Sequence, residues 1–139
     1  MQIGENYSSD ISCPNSHQDL KKELMAYAEK NKIVAGFIAT CVGSLEQVNL
    51  RYANQLNGTL LKGHFEILSV SGTLSTTSAH LHLSVAASTG KAIGGHLLDS
   101  NLIYTTAEIV IGELLDIEFT QALDSAYGYQ ELVIKARKR

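Results

Sequence analysis

Residues 79–98 read A-H-L-H-L-S-V-A-A-S-T-G-K-A-I-G-G-H-L-L. Leu81, Leu83 and Val85 alternate with His80, His82 and Ser84, a period of two that marks a strand with one apolar face. Ala87-Ser88-Thr89-Gly90-Lys91 follows as a turn, and then a second stretch carries Gly94, Gly95 and His96. A three-residue hairpin loop with glycine at its left-handed third position fits Ser88-Thr89-Gly90. Centred on Thr89, that loop sets His82 opposite His96. His80 then lies diagonal on the same face, within reach of long side chains. A two-residue loop at Thr89-Gly90 pairs His82 with Leu97 instead and turns His96 to the other face. The conformation at Gly90 therefore decides the fold of this segment and whether three histidines meet.

Three converging neutral imidazoles are a ligand set for zinc, with the fourth position open to water or substrate. A metal so held lowers the pKa of bound water or polarises a carbonyl. Asp99, three residues past His96, is placed to orient a ligand imidazole from behind. The plainer alternative is that the histidines are polar surface or hydrogen-bonded core residues. His17 and His64 have no ligand-spaced partner and read as surface residues. Glu66, Glu108 and Glu113 sit in apolar stretches, where a carboxyl group is a candidate catalytic base. Each also reads as an edge or ion-pair residue.

Working outward, Leu20, Leu24, Tyr27 and Ala28 make one apolar stripe. Ser16 with Asp19 resembles a capping box, and Asn31 a left-handed terminator. The pattern predicts a helix over 17–30. Strands are expected at Ile33–Val42, interrupted by Gly43-Ser44, and at Val48–Gln55. A hairpin turn is expected at Asn57-Gly58, with return through Thr59–Leu61. Further strands are expected at Phe65–Leu74, with a bulge at Gly72, at Ala79–Ala86 and at Ala92–Leu98. Residues 102–119 are long and apolar but β-branched, which favours strand over helix. Gly112 and Glu113 are the expected break. Gln130–Lys135 closes the series. The fold class is α+β: a single domain of about seven mostly antiparallel strands in a curved sheet or barrel, with one main N-terminal helix. Residues 1–15 read as a leader, 16–135 as the domain and 136–139 as a basic tail.

The chain has 139 residues, a net charge of −3, one proline and no tryptophan. That size supports one core without disulfide staples. Cys13 and Cys41 have neither disulfide nor metal-site spacing, which suits a reducing cytoplasm. No apolar run is long enough to span a membrane, and the N-terminus lacks a signal pattern. The charge balance argues against a dedicated nucleic-acid binder. The tail basic residues Lys135, Arg137, Lys138 and Arg139 promise at most weak, salt-sensitive contacts. Arg51 is the only arginine outside that tail.

Taken together, these pieces resemble the plant-and-prokaryote-conserved (PPC) domain. The matching segments are I-V-A-G-F-I (33–38), G-S-L (43–45), E-I-L-S-V-S-G-T-L (66–74), H-L-H-L-S-V-A (80–86), G-K-A-I-G-G-H-L (90–97), T-T-A-E-I-V-I (105–111) and A-Y-G-Y-Q-E-L-V-I (126–134). The resemblance implies a sheet-plus-helix domain that assembles as a homotrimer. It implies association with DNA directly or through partners, in plants alongside separate AT-hook motifs. This chain contains no R-G-R-P hook.

Narrower still, H-x-H followed by G-G-H-x-L-D is similar to the zinc site of α-acetolactate decarboxylase. That resemblance implies His80, His82 and His96 as ligands, with Asp99 matching; for the substrate carboxylate clamp it also implies, Arg51 is the one arginine outside the tail. Three readings stay open: a zinc-binding homotrimeric association module, a zinc-dependent small-molecule lyase or decarboxylase, and a structural trimer with buried histidines. A cupin is more distant, since residues 83–91 lack the required glutamate.

Overall fold

Asp19, rather than Ser16, starts the helix. In the computed structural model, which describes residues 11–13, 16–126 and 128–137, a short strand β1 (Ile11–Cys13) precedes helix α1 (Leu20–Lys30). The Asp19 carboxylate accepts from the backbone N–H groups of Lys21 and Lys22 at 3.0 and 3.3 Å. It also accepts from Ser100 N–H, which ties the helix start to the loop beyond the histidine hairpin. His17 lies outside the helix at φ 76°. At the other end Lys32, at φ 56°, takes the left-handed conformation expected of Asn31. Asn31 donates its side-chain amide to Tyr27 O instead. Leu20, Leu24 and Ala28 are fully buried, as the stripe predicts.

The strands that follow are β2 (Gly36–Arg51), β3 (Thr59–Leu74), β4 (Ala79–Ala87), β5 (Ala92–Leu97), β6 (Leu102–Glu113), β7 (Ile117–Leu123) and β8 (Gln130–Ala136). Six form one sheet in the order β1-β6-β2-β3-β4-β5, and β7 pairs with β8 in a separate ribbon. All pairings are antiparallel. The α+β architecture and the preference for strand over 102–119 hold, with the break at 114–116 just beyond the expected Gly112-Glu113. Of the expected tail, Lys138 and Arg139 lie outside the described residues, as do residues 1–10 of the leader.

Three turn readings are corrected. Gly43-Ser44 does not interrupt a strand. β2 runs through it because Gly43, at φ 153°, lets β6 approach so closely that a Cβ would lie 2.2 Å from Thr106 O. Asn57-Gly58 is not a two-residue hairpin turn. Leu50 pairs with Thr59, so residues 52–58 form a longer loop in which Asn54 takes the positive φ. At Gly72 the register is unbroken and the shift falls between Ile67 and Ser69. Gly72 instead permits close backbone approach: a Cβ there would meet His80 O at 2.0 Å.

β2 makes the sheet a ring. One edge of it pairs with β3. The other edge pairs first with β6 and then, at Leu50↔Leu97 and Arg51↔His96, with β5. At the changeover Asn101, fully buried, acts as a substitute strand. Its side-chain oxygen accepts from Asn49 N–H at 2.8 Å, and its amide donates to Asn49 O at 3.2 Å and Leu98 O at 2.7 Å. Buried backbone groups must be paired, and here the Asn101 side chain adds to the one backbone bond, Leu98 N–H to Asn49 O at 3.3 Å, that spans the changeover. Leu45, Val48, Leu50, Leu81, Leu83 and Leu97 fill the ring and meet Leu20 and Leu24 of α1 in one core.

Candidate metal centre

The hairpin turns as the three-residue reading requires. Gly90 takes φ 80°. Gly90 N–H donates to Ala87 O at 2.8 Å, and Ala87 N–H to Lys91 O at 2.9 Å. Ala86 then pairs with Ala92, Ser84 with Gly94 and His82 with His96. Because the side-chain period is two, this register sends Leu81, Leu83 and Val85 into the core and the histidines to the opposite face.

His80, His82 and His96 meet there. Their ring centroids are 5.2 to 5.7 Å apart, and one ring nitrogen from each lies within 4.8 Å of the others. Tetrahedral zinc at its usual nitrogen distances needs ligand nitrogens about 3.3 Å apart. His80 and His82 are exposed, which leaves their rings room to draw in toward that spacing, so the residues fit a metal ion held by three histidines. Burial and the neighbouring Arg51 guanidinium, with smaller effects from His80, His82 and Lys21, lower the His96 pKa from 6.5 to about 4. His96 is therefore neutral, with a lone pair to donate, throughout the physiological range.

A cavity of about 540 Å³ lies over the triad. Arg51 enters it because it sits directly opposite His96 across the β2–β5 closure. Gly95 permits that closure, since a Cβ there would lie 2.7 Å from Arg51 O. Tyr52 and Leu56 from the loop after β2, and Tyr129 from the turn before β8, supply further walls. These wall residues escaped the sequence reading. Arg51 stood out by its rarity as a candidate carboxylate clamp, but not its place opposite His96, because the partner strand is far away in sequence and no local pattern announces the pairing.

The other sequence candidates lie elsewhere. Glu66 and Glu108 are exposed on β3 and β6, opposite Ser44 and Val42 of β2. Glu113 accepts from Val34 N–H and Arg137, an ion-paired clasp at the far end of the sheet. Among the described residues no carboxylate lines the cavity. Asp99 pairs with Lys21 of α1 at 3.4 Å and is largely exposed, so the structure gives it to the helix and not to an imidazole. His17 bonds Glu46, and His64 rests on the Tyr104 ring at 4.4 Å.

The chain is 48% identical over 118 residues to "Bifunctional protein GlmU" of Synechococcus sp. (strain JA-3-3Ab). That match covers 85% of this chain but only 19% of the relative, so the chain spans about a fifth of the protein it matches. It is 28% identical over 123 residues, 79% of this chain and 35% of the relative, to "AT-hook motif nuclear-localized protein 2" of Arabidopsis thaliana. A solved structure of a hypothetical protein from Salmonella superposes with a TM-score of 0.87 at 37% identity, covering 95% of this chain and 99% of that one. A metal-containing protein from Archaeoglobus fulgidus shares the fold, with a TM-score of 0.77 at 22% identity over 96% and 99% of the two chains. The model of the Plants and Prokaryotes Conserved (PCC) domain matches residues 14–115, which takes in the whole histidine hairpin and the β2–β5 closure. The chain belongs to the Plants and Prokaryotes Conserved domain family.

Proposed function

We propose that this chain is a zinc-binding association module, homotrimeric and cytoplasmic, that reaches DNA through partners and not through its own surface. The observation that carries the metal reading is the convergence of three ring nitrogens from one register-locked hairpin, with His96 held neutral. The presence of metal in a structural relative of the same fold supports it. When bound, zinc supplies an electrophilic fourth position for water or a ligand oxygen. The chain's own residues orient the three imidazoles, and β3 and β2 hold the two strands that bear them.

The module reading is supported by relatives in which the matched region is a minor part of a longer protein, one of them named for an AT-hook. The exposed apolar residues Val42, Leu68, Tyr104 and Val110 on the sheet support self-association. The absence of a hook motif and the acidic net charge favour indirect contact with DNA. No described helix is long and apolar enough to cross a membrane, and the cysteine spacing suits a reducing compartment.

Tag-free protein should carry about one zinc per chain by elemental analysis, and His96→Ala should lose it. Light scattering should return three times the chain mass. A gel shift at about 150 mM salt should show no direct DNA complex. Protein without stoichiometric metal, whose added-zinc affinity is untouched by His96→Ala, overturns the metal reading.

A second reading, a zinc-dependent lyase resembling α-acetolactate decarboxylase, is favoured by one observation: the triad opens into a cavity of small-molecule size. It lacks the carboxylate general base expected from Glu66, Glu108 or Glu113, none of which lines that cavity.

A further inference from the structure

We propose that the cavity over the histidines binds a small organic carboxylate, clamped by Arg51. The proposal rests on the metal reading above and adds the class of ligand.

Charge is the first argument. The metal would sit on three neutral ligands, and Arg51 lines the same cavity. Arg51 is half-buried, and among the described residues it makes no ion pair. No acidic side chain among the described residues lines the space. A dication and a guanidinium side by side, partly withdrawn from water and without a counter-charge, are costly. Elsewhere in the chain Arg137 and Lys21 each find a carboxylate. The uncompensated site is one that an anion completes.

Shape is the second argument. The planar guanidinium presents a fork that matches a carboxylate with two parallel hydrogen bonds. Arg51 and His96 are directly opposed on adjacent strands, so their side chains share a face, and one anion can touch both the arginine and the metal's open position. The third argument is volume. About 540 Å³ is far more than an inorganic oxyanion fills. Tyr52, Leu56 and Tyr129 offer aromatic and apolar walls, which suit a carbon body attached to the carboxylate.

The test uses the full chain loaded with zinc, its metal counted first, and titrates it calorimetrically with pyruvate and separately with inorganic phosphate. Pyruvate should bind the wild type with one-to-one stoichiometry. Arg51→Gln should keep its metal and weaken pyruvate at least about tenfold, and Arg51→Lys, which keeps the charge but not the fork, should weaken it less. In the cobalt-loaded chain, pyruvate should shift the visible absorption bands. Four results overturn the proposal: no pyruvate binding to metal-replete wild type, equal binding to Arg51→Gln, phosphate binding tighter than pyruvate, or an unmoved cobalt spectrum. A chain that takes up no metal overturns both this proposal and the metal reading, and the metal count reveals it before any anion is added.

Discussion

Two hairpins of this molecule, β4–β5 and β7–β8, are built from comparable alternating sequences and end differently. In β4–β5, Leu81, Leu83, Val85 and Leu97 are 2% exposed or less. The pair is flanked by β3 on one side and the end of β2 on the other. In β7–β8, Phe119 is buried, while Leu123, Leu132 and Ile134 remain 65%, 45% and 59% exposed. Among the described residues those strands pair only with each other. A ribbon of two strands has little stability of its own, whereas a one-residue slip of β4 against its neighbours would turn Leu81, Leu83 and Val85 out of the core. The three histidines sit where register is enforced by the core. One cavity wall, Tyr129, comes from the less anchored ribbon.

The contrast can be broken most directly by matched truncations. Leu83→Ala should destabilise the chain by about 2–5 kcal/mol, and Leu132→Ala by about 0.5 kcal/mol or less, in urea melts. Comparable losses would mean that the ribbon is packed against another copy in solution. Asn101→Ala should cost about 2–4 kcal/mol, because it takes the Asn101 partner from the Asn49 N–H and from Leu98 O, while Asn49 O keeps only the longer bond from Leu98 N–H.

Gly95→Ala should cost about 1–3 kcal/mol by pushing β5 off β2. It should also weaken zinc binding measured by chelator competition, and more than Gly90→Ala does, whose Cβ meets nothing within 4 Å and which costs only the strain of a left-handed alanine at φ 80°, about 1–2 kcal/mol. The smallest effect concerns pH. In the metal-free chain His96 is neutral down to about pH 4, but its unfolded counterpart takes a proton near 6.5. The unfolded state therefore binds more protons between those values, and stability falls as pH drops through them. His96→Gln should flatten that part of the profile of urea midpoint against pH. An unchanged slope would show that His96 is not the group responsible.

Much of β4–β5 was legible because its information is local. Alternation, a loop of defined length and a glycine at the left-handed position together set His82 against His96. The helix stripe was legible for the same reason. The cap moved to Asp19 because its carboxylate serves both the helix and Ser100, a contact 81 residues apart. Asn57-Gly58 misled because an apt turn dipeptide does not act alone: the long β2–β3 pairing sets the loop length. Arg51 and Asn101 were opaque for a deeper reason. Their roles arise where β2 changes partners, and no window of sequence contains both sides of that change. The three glutamates lie away from the cavity over the histidines, because an apolar neighbourhood in sequence says nothing of which sheet face a carboxylate takes.

Asn101 gives the ring a chemical weak point. Deamidation to aspartate alters a single heavy atom and hardly changes volume. It would nonetheless convert two donated hydrogen bonds, to Asn49 O and Leu98 O, into oxygen facing oxygen at the place where β2 passes from β6 to β5. The ageing of one amide would thus be felt at the strand end that carries Arg51, far from any change in size, and would appear as a chain that keeps its composition yet loses its closure.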